Sequence, residues 1–184
     1  MIPIFLALLV VSVYLVFIYN RLVSLRQSGV QAFADIDVQL KARADLVPNL
    51  VSTVKGYAAH ESETLDAVVK ARTAAQVAST PGQAAAADGL MTAALGRVFA
   101  LAEAYPDLKA NANFSQLQGE LSDIENKIAA ARRFLNSSVS EYNAATEQFP
   151  ALIVARIFGF LPQKMYEIAA ADREAAEKPP VVSF

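Results

Sequence analysis

The chain has 184 residues, a net charge of −2, 54% hydrophobic side chains and 18% charged ones. With no cysteine and a single histidine, His60, it lacks the material for thiol nucleophiles, zinc fingers or Cys/His metal sites. Its slightly acidic balance also lacks the clustered basic face that a nucleic-acid partner requires.

Residues 2–19, IPIFLALLVVSVYLVFIY, contain no charged side chain, and Arg21 is the first charge of the chain. About 18–20 apolar residues rising 1.5 Å each match a bilayer core of roughly 30 Å. Ile2, Leu6, Val10, Leu15, Ile18 and Tyr19 mark this expected span. A cleavable signal peptide would open with a basic region and close on small residues. Here the chain opens Met1-Ile2-Pro3 and the run ends in Tyr19-Asn20-Arg21-Leu22, so an uncleaved signal anchor is predicted. The absence of cysteine excludes a lipoprotein anchor. Arg21 and Arg26 follow the run and no acid appears before Asp35. Basic flanks stay cytoplasmic, which places the N-terminus outside and residues 20–184 inside the cell.

Abundant alanine and only 7 glycines give the rest of the chain the composition of helices. The first helix is expected to continue from the span through Leu22, Leu25, Val30, Phe33, Ile36 and Leu40, and to end at Asp45-Leu46-Val47-Pro48. Pro48 then reads as the first residue of a second helix running to about Ala78, with Leu50, Val54, Tyr57, Leu65, Val68 and Ala75 on one face. Ser79-Thr80-Pro81-Gly82 is a break. A third helix is predicted from about Gln83 to Ala104, closed by Tyr105-Pro106-Asp107. The fourth has the cleanest period, with Leu117, Leu121, Ile124, Ile128, Ala131, Leu135, Val139, Tyr142 and Phe149 mostly at steps of three and four. Ser115 is its predicted N-cap and Pro150 its end.

The fold class this predicts is all-α: an N-terminal transmembrane helix continuing into an elongated antiparallel four-helix bundle. The expected divisions are an anchor at 1–20, a bundle at 21–148, and a C-terminal part at 149–184. Regular three-and-four spacing also permits coiled-coil-like packing or self-association. Four alternating helices return the chain to the bilayer surface at the end of the fourth. There lies Phe149-Pro-Ala-Leu-Ile-Val-Ala-Arg-Ile-Phe-Gly-Phe-Leu161, apolar but too short to span. Two readings stand: a second membrane contact through Phe149, Ile153, Ile157, Phe158 and Phe160, or a short helix packed on the bundle. The alternation of helix direction favours the membrane. Beyond it, Tyr166 to Lys178 reads as a polar helix, and Pro179-Pro180-Val-Val-Ser-Phe184 as an extended tail.

Several stretches occur in an ordered set: Tyr19-Asn20-Arg21-Leu22-Val23, Ile36-Asp37-Val38-Gln39-Leu40-Lys41, Asp45-Leu46-Val47-Pro48-Asn49-Leu50-Val51, and Val54-Lys55-Gly56-Tyr57-Ala58 with His60-Glu61. Glu103-Ala-Tyr-Pro-Asp-Leu-Lys109, Ala131-Arg132-Arg133-Phe134-Leu135-Asn136, Glu141-Tyr142-Asn143 and Phe158-Gly159-Phe160 follow. Together they resemble the LemA family of bacterial membrane proteins along essentially the whole chain, with Leu135 where many members carry an aromatic. The resemblance implies a single-pass N-terminal anchor in the bacterial inner membrane and a helical-bundle domain without an assigned catalytic activity. A related member in magnetic bacteria is tied to formation of internal membrane compartments, which makes membrane organisation an implied direction.

Glu61 falls four residues after Tyr57 and four before Leu65, on the apolar face of the second predicted helix. An unpaired buried carboxylate costs several kcal/mol, so a buried ion pair with Arg132 or Arg133 is expected. His60-Glu61 is not a zinc motif, because Thr64 stands where the second histidine would be. The Tyr-Asn dipeptides at 19–20 and 142–143 both fall toward the membrane end, Tyr19 as an interfacial ring and Tyr142 as a core tyrosine with a satisfied hydroxyl. Asn20 and Asn143 are candidates to pair. No glycine-rich phosphate loop, metal set or nucleophile–base pair is legible, so neither catalytic residues, cofactor nor small-molecule substrate is expected. The expected function is a non-enzymatic membrane scaffold with lipid and self-association as its contacts. The alternative is an adaptor that holds a protein partner at the membrane.

Overall fold

The computed structural model describes residues 2–166, which form helices α1 (Ile2–Lys55), α2 (Ser62–Val77), α3 (Pro81–Ala104), α4 (Pro106–Lys109), α5 (Ala112–Glu147) and α6 (Ala151–Phe158). No strand occurs among the described residues. Of the predicted C-terminal helix at 166–178 only Tyr166 is described, and the extended tail lies outside the described residues.

The largest difference from the sequence reading is at Pro48. The helix expected to stop there runs on to Lys55, so the predicted second helix is divided between the end of α1 and α2. A proline inside a helix removes one N–H and leaves the carbonyl four residues back without its donor. That carbonyl belongs to Ala44, and the Arg72 Nε–H of α2 donates to it at 3.1 Å. Pro48 itself is exposed, so its ring meets no packed neighbour on the core side. The real break is Gly56 to Glu61, where the Ala58 N–H closes back on the Val54 carbonyl at 2.8 Å.

The remaining boundaries follow ordinary capping chemistry. Thr80 caps α3 by accepting the Gln83 N–H at 3.3 Å, and Pro81 occupies the first helical position. Gln83 reaches back to accept from the Ser79 N–H at 3.0 Å, a variant of the capping box. Asn111, rather than the expected Ser115, caps α5: its Oδ1 accepts the Phe114 N–H at 3.0 Å. Pro106 closes α3 and opens the single turn of α4. α6 ends at Gly159, whose φ of 71° lies in the left-handed region, while the Phe160 N–H bonds the Ala155 carbonyl at 2.9 Å. A Cβ meets no neighbour there, so Gly159→Ala suffers only the backbone strain. We expect it to lower stability by about 1–2 kcal/mol, read from thermal unfolding of the full chain in detergent.

The chain divides into two compact units, and α1 and α5 contribute to both. One unit comprises 36–129 with Tyr166. Its core takes Val47, Leu50 and Val54 from α1, Leu65 and Val68 from α2, Met91, Leu95 and Val98 from α3, Leu108 from α4, and Phe114 and Leu121 from α5. The other comprises 2–35 with 130–165, and its core joins Ile18 and Leu22 of α1 to Tyr142 and Ala145 of α5 and to Val154, Ala155 and Phe160.

Among the described residues two helices are long and apolar enough to cross a membrane. In α3 the apolar stripe is consumed by the core, and Asp88 is buried beside it. The apolar window of α1 is only 6% buried. Among the described residues Ile2 through Phe17 are all exposed, and Ile18 is the first buried one.

Candidate functional site

At the lower end of that bare segment, protein packing begins and an apolar surface continues. α6 lies against α1 through Val154 and Ala155, which bury beside Ile18 and Leu22. An eight-residue helix buries only one face. The opposite face and its flanks leave Phe149 80%, Ile157 70% and Leu161 75% exposed, with Ile153 and Phe158 also outward. Such a contiguous exposed apolar patch marks an interaction site. Phe160, read from sequence as a fellow membrane contact, is instead buried. The left-handed turn at Gly159 redirects the chain, bringing the Phe160 ring 5.5 Å from Tyr19 and 5.2 Å beneath the Arg26 guanidinium. Tyr19 also meets Phe158 edge-on at 4.9 Å. Arg21 is exposed at the same level.

The segment after α6 is held by side chains rather than by secondary structure. The Asn143 amide donates to the Gln163 carbonyl at 2.9 Å and accepts the Gln163 N–H at 2.8 Å. Asn143 is thus occupied by the backbone of 163, not by the Asn20 contact considered from sequence. One position earlier, the Tyr142 hydroxyl donates to the Leu161 carbonyl at 3.0 Å. Gly29 is buried facing this segment, where a Cβ would stand 3.1 Å from Gln163 Oε1. Burial raises the Tyr142 pKa above its ordinary value of 10.0, and the nearby Arg26 charge opposes that rise. A tyrosine raised on folding stabilises the fold fully below pH 10, and the contribution is lost as pH climbs through the folded value.

The unit comprising 36–129 and Tyr166 contains a buried charge cluster that sequence reasoning missed. Arg43 is 1% exposed. It pairs with the buried carboxylate of Asp88 through Nη2 and with Glu125 through Nη1 at 2.5 Å; Nη1 also reaches the Thr92 hydroxyl at 3.2 Å. The Tyr166 hydroxyl lies 3.4 Å from the second Asp88 oxygen. Glu61 sits in the turn ahead of α2, half-buried, and accepts the Tyr105 hydroxyl at 3.0 Å, which with the carboxylate charge raises the Tyr105 pKa. Arg132 is half-buried on α5 and Arg133 is exposed. The signal for the true pair was present: Ile36, Leu40, Arg43, Val47 and Leu50 follow one helical stripe, and Ala84, Asp88, Met91 and Leu95 another. Opposite charges at interior positions of two helices ask for each other. Among the described residues no group of three metal-ligating side chains converges.

The chain is 27% identical over 168 positions to the magnetosome protein MamQ of Magnetospirillum gryphiswaldense, and 25% identical to magnetosome proteins MamQ 1 and MamQ 2 of Paramagnetospirillum magneticum. Each alignment covers 77% of this chain and 62% of the relative, so the chain spans about three fifths of the length of the proteins it matches. The LemA family model matches residues 32–184, which carry both the Arg43–Asp88 cluster and the α5–α6 surface, and the chain belongs to the LemA family.

Proposed function

We propose that this protein is a non-enzymatic, membrane-anchored helical scaffold. α1 crosses the bacterial inner membrane with its N-terminus outside, and the remaining helices form an antiparallel bundle on the cytoplasmic face. The outward surface of α6 lies in the lipid interface as a second contact, so that one chain holds the bilayer at two places and presents its helices for self-association. The observation that supports this best is the exposed row Phe149, Ile153, Ile157, Phe158 and Leu161, packed against α1 just where the bare segment ends. A helix with one apolar face outward and aromatic rings at its edge suits the headgroup boundary. The likeness to magnetosome proteins is compatible with a membrane-organising role.

The chain contains no tryptophan, so one introduced indole is a clean reporter. Ile157→Trp in the full chain, reconstituted with lipids brominated at shallow acyl positions, is expected to be quenched. Leu90→Trp, exposed on α3, is not. Quenching at neither position favours the adaptor reading, in which the α6 surface receives a protein partner. Orientation is tested with Thr80→Cys, a unique thiol in a chain without cysteine. A membrane-impermeant maleimide is expected to label inverted vesicles and spare intact spheroplasts; the reverse pattern overturns the assigned topology.

A further inference from the structure

Between α1 and the turn joining α5 to α6 lies a cleft of about 160 Å³. Tyr14, Phe17 and Phe149 form apolar walls, Arg21 and Gln148 bring the polar groups, and Ala151 lies at the margin. We propose that this cleft is a phospholipid site, in which Arg21 holds the phosphate, Gln148 meets the glycerol ester region, and the acyl chains leave along Tyr14 and Phe17. This deepens the anchor reading and rests on α1 spanning the bilayer.

The chemistry points to a lipid in three ways. First, the cleft is divided by polarity along one axis. Tyr14 and Phe17 belong to the uncharged run, and Arg21, one turn further, is the first charge of the chain. That order reproduces the step from acyl chain to phosphate across a leaflet boundary. Second, its polar groups are available. Arg21 forms no ion pair and the Gln148 amide no hydrogen bond among the described residues, whereas Arg26 is already engaged over Phe160. A guanidinium matches phosphate with paired charge-assisted donors. Third, the volume corresponds to roughly five waters at liquid density, enough for a phosphate and its ester carbons but not for acyl chains. Those must lie outside, where the exposed apolar side chains of α1 beside Tyr14 and Phe17 offer a surface. No carboxylate lines the cleft, so a cationic headgroup finds no counter-ion there and an anionic lipid is preferred.

The test is native mass spectrometry of the full chain, delipidated in detergent and titrated with phosphatidylglycerol, phosphatidylcholine and glycerol 3-phosphate. One phosphatidylglycerol adduct per chain is expected, several-fold above phosphatidylcholine, with none for glycerol 3-phosphate, which has the anion without the chains. Arg21→Gln should weaken the adduct roughly tenfold. Ala151→Phe, which fills the cleft and leaves every charge in place, should abolish it, with helicity checked by circular dichroism. Arg156→Gln, on the exposed side of α6, should leave it unchanged. Equal loss in Arg156→Gln and Arg21→Gln overturns the site, since diffuse attraction then explains the binding. Unchanged binding in Ala151→Phe, or an adduct with glycerol 3-phosphate alone, does the same. Alkaline carbonate extraction of the same preparations separates the two claims. A chain that stays in the membrane but holds no adduct sinks the cleft alone, and one that is released sinks the anchor as well.

Discussion

Arg43→Met is expected to cost about 3–5 kcal/mol of unfolding free energy, measured by urea or thermal unfolding of the full chain in detergent. The argument is asymmetric. A buried ion pair adds little over well-packed apolar residues, but removing one partner leaves the other charge in a medium that cannot solvate it. Asp88 is nearly as buried as Arg43, so the loss of the guanidinium falls mainly on that carboxylate. Glu125, half-exposed, can turn to water and contributes less. The buried Arg43 Nε–H has no acceptor among the described residues. Arg43→Met combined with Asp88→Leu should therefore recover most of the loss. If the single variant costs under about 1 kcal/mol, the cluster does not hold the fold in the way described.

The second large effect has the opposite sign. Pro48→Ala is expected to stabilise the chain by up to about 3 kcal/mol, because a proline interrupts the helix interior by that amount when nothing compensates. The hydrogen bond from Arg72 to Ala44 is the compensation, so the measured gain should fall short of the full figure. A double-mutant cycle makes this specific. Arg72→Met should cost about 1–3 kcal/mol in the parent, where it leaves the Ala44 carbonyl bare. In the Pro48→Ala background the new N–H serves that carbonyl, and the same substitution should cost at least about 0.5 kcal/mol less. Strict additivity would show that Arg72 acts elsewhere.

Pro48 also shows where the sequence was legible and where it was not. Local chemistry correctly marked the breaks at Ser79-Thr80-Pro81-Gly82 and at Pro150, because those residues are capped or turned by their immediate neighbours. The bare apolar segment was legible because it depends on a run of side chains alone. Pro48 failed because its rescue comes from Arg72, a residue 24 positions away by number and on another helix. The placement of Glu61 on a helix face failed through the same error, since a helix started at Pro48 carries Glu61 onto its stripe, whereas the chain turns at Gly56 and leaves Glu61 ahead of α2. The reach of Asn143 to the backbone of Gln163 has no sequence signal at all: an asparagine near a helix end reads as an ordinary polar residue until the segment it holds is in place.

The packing of α6 against the top of α1 has a consequence for biogenesis. Ile18 and Val154 belong to one buried cluster although 136 positions of chain separate them. At about 5–20 residues per second a ribosome needs on the order of ten seconds to make the intervening length. With α1 in the bilayer as proposed above, Ile18, Leu22 and Tyr19 would stay without their α6 partners until nearly the whole protein has been synthesised. Contacts this distant in sequence also close late in folding. On that proposal, a ribosome stalled before α6 would leave the apolar collar of Ile18, Leu22 and Tyr19 open, a distinct target for quality control.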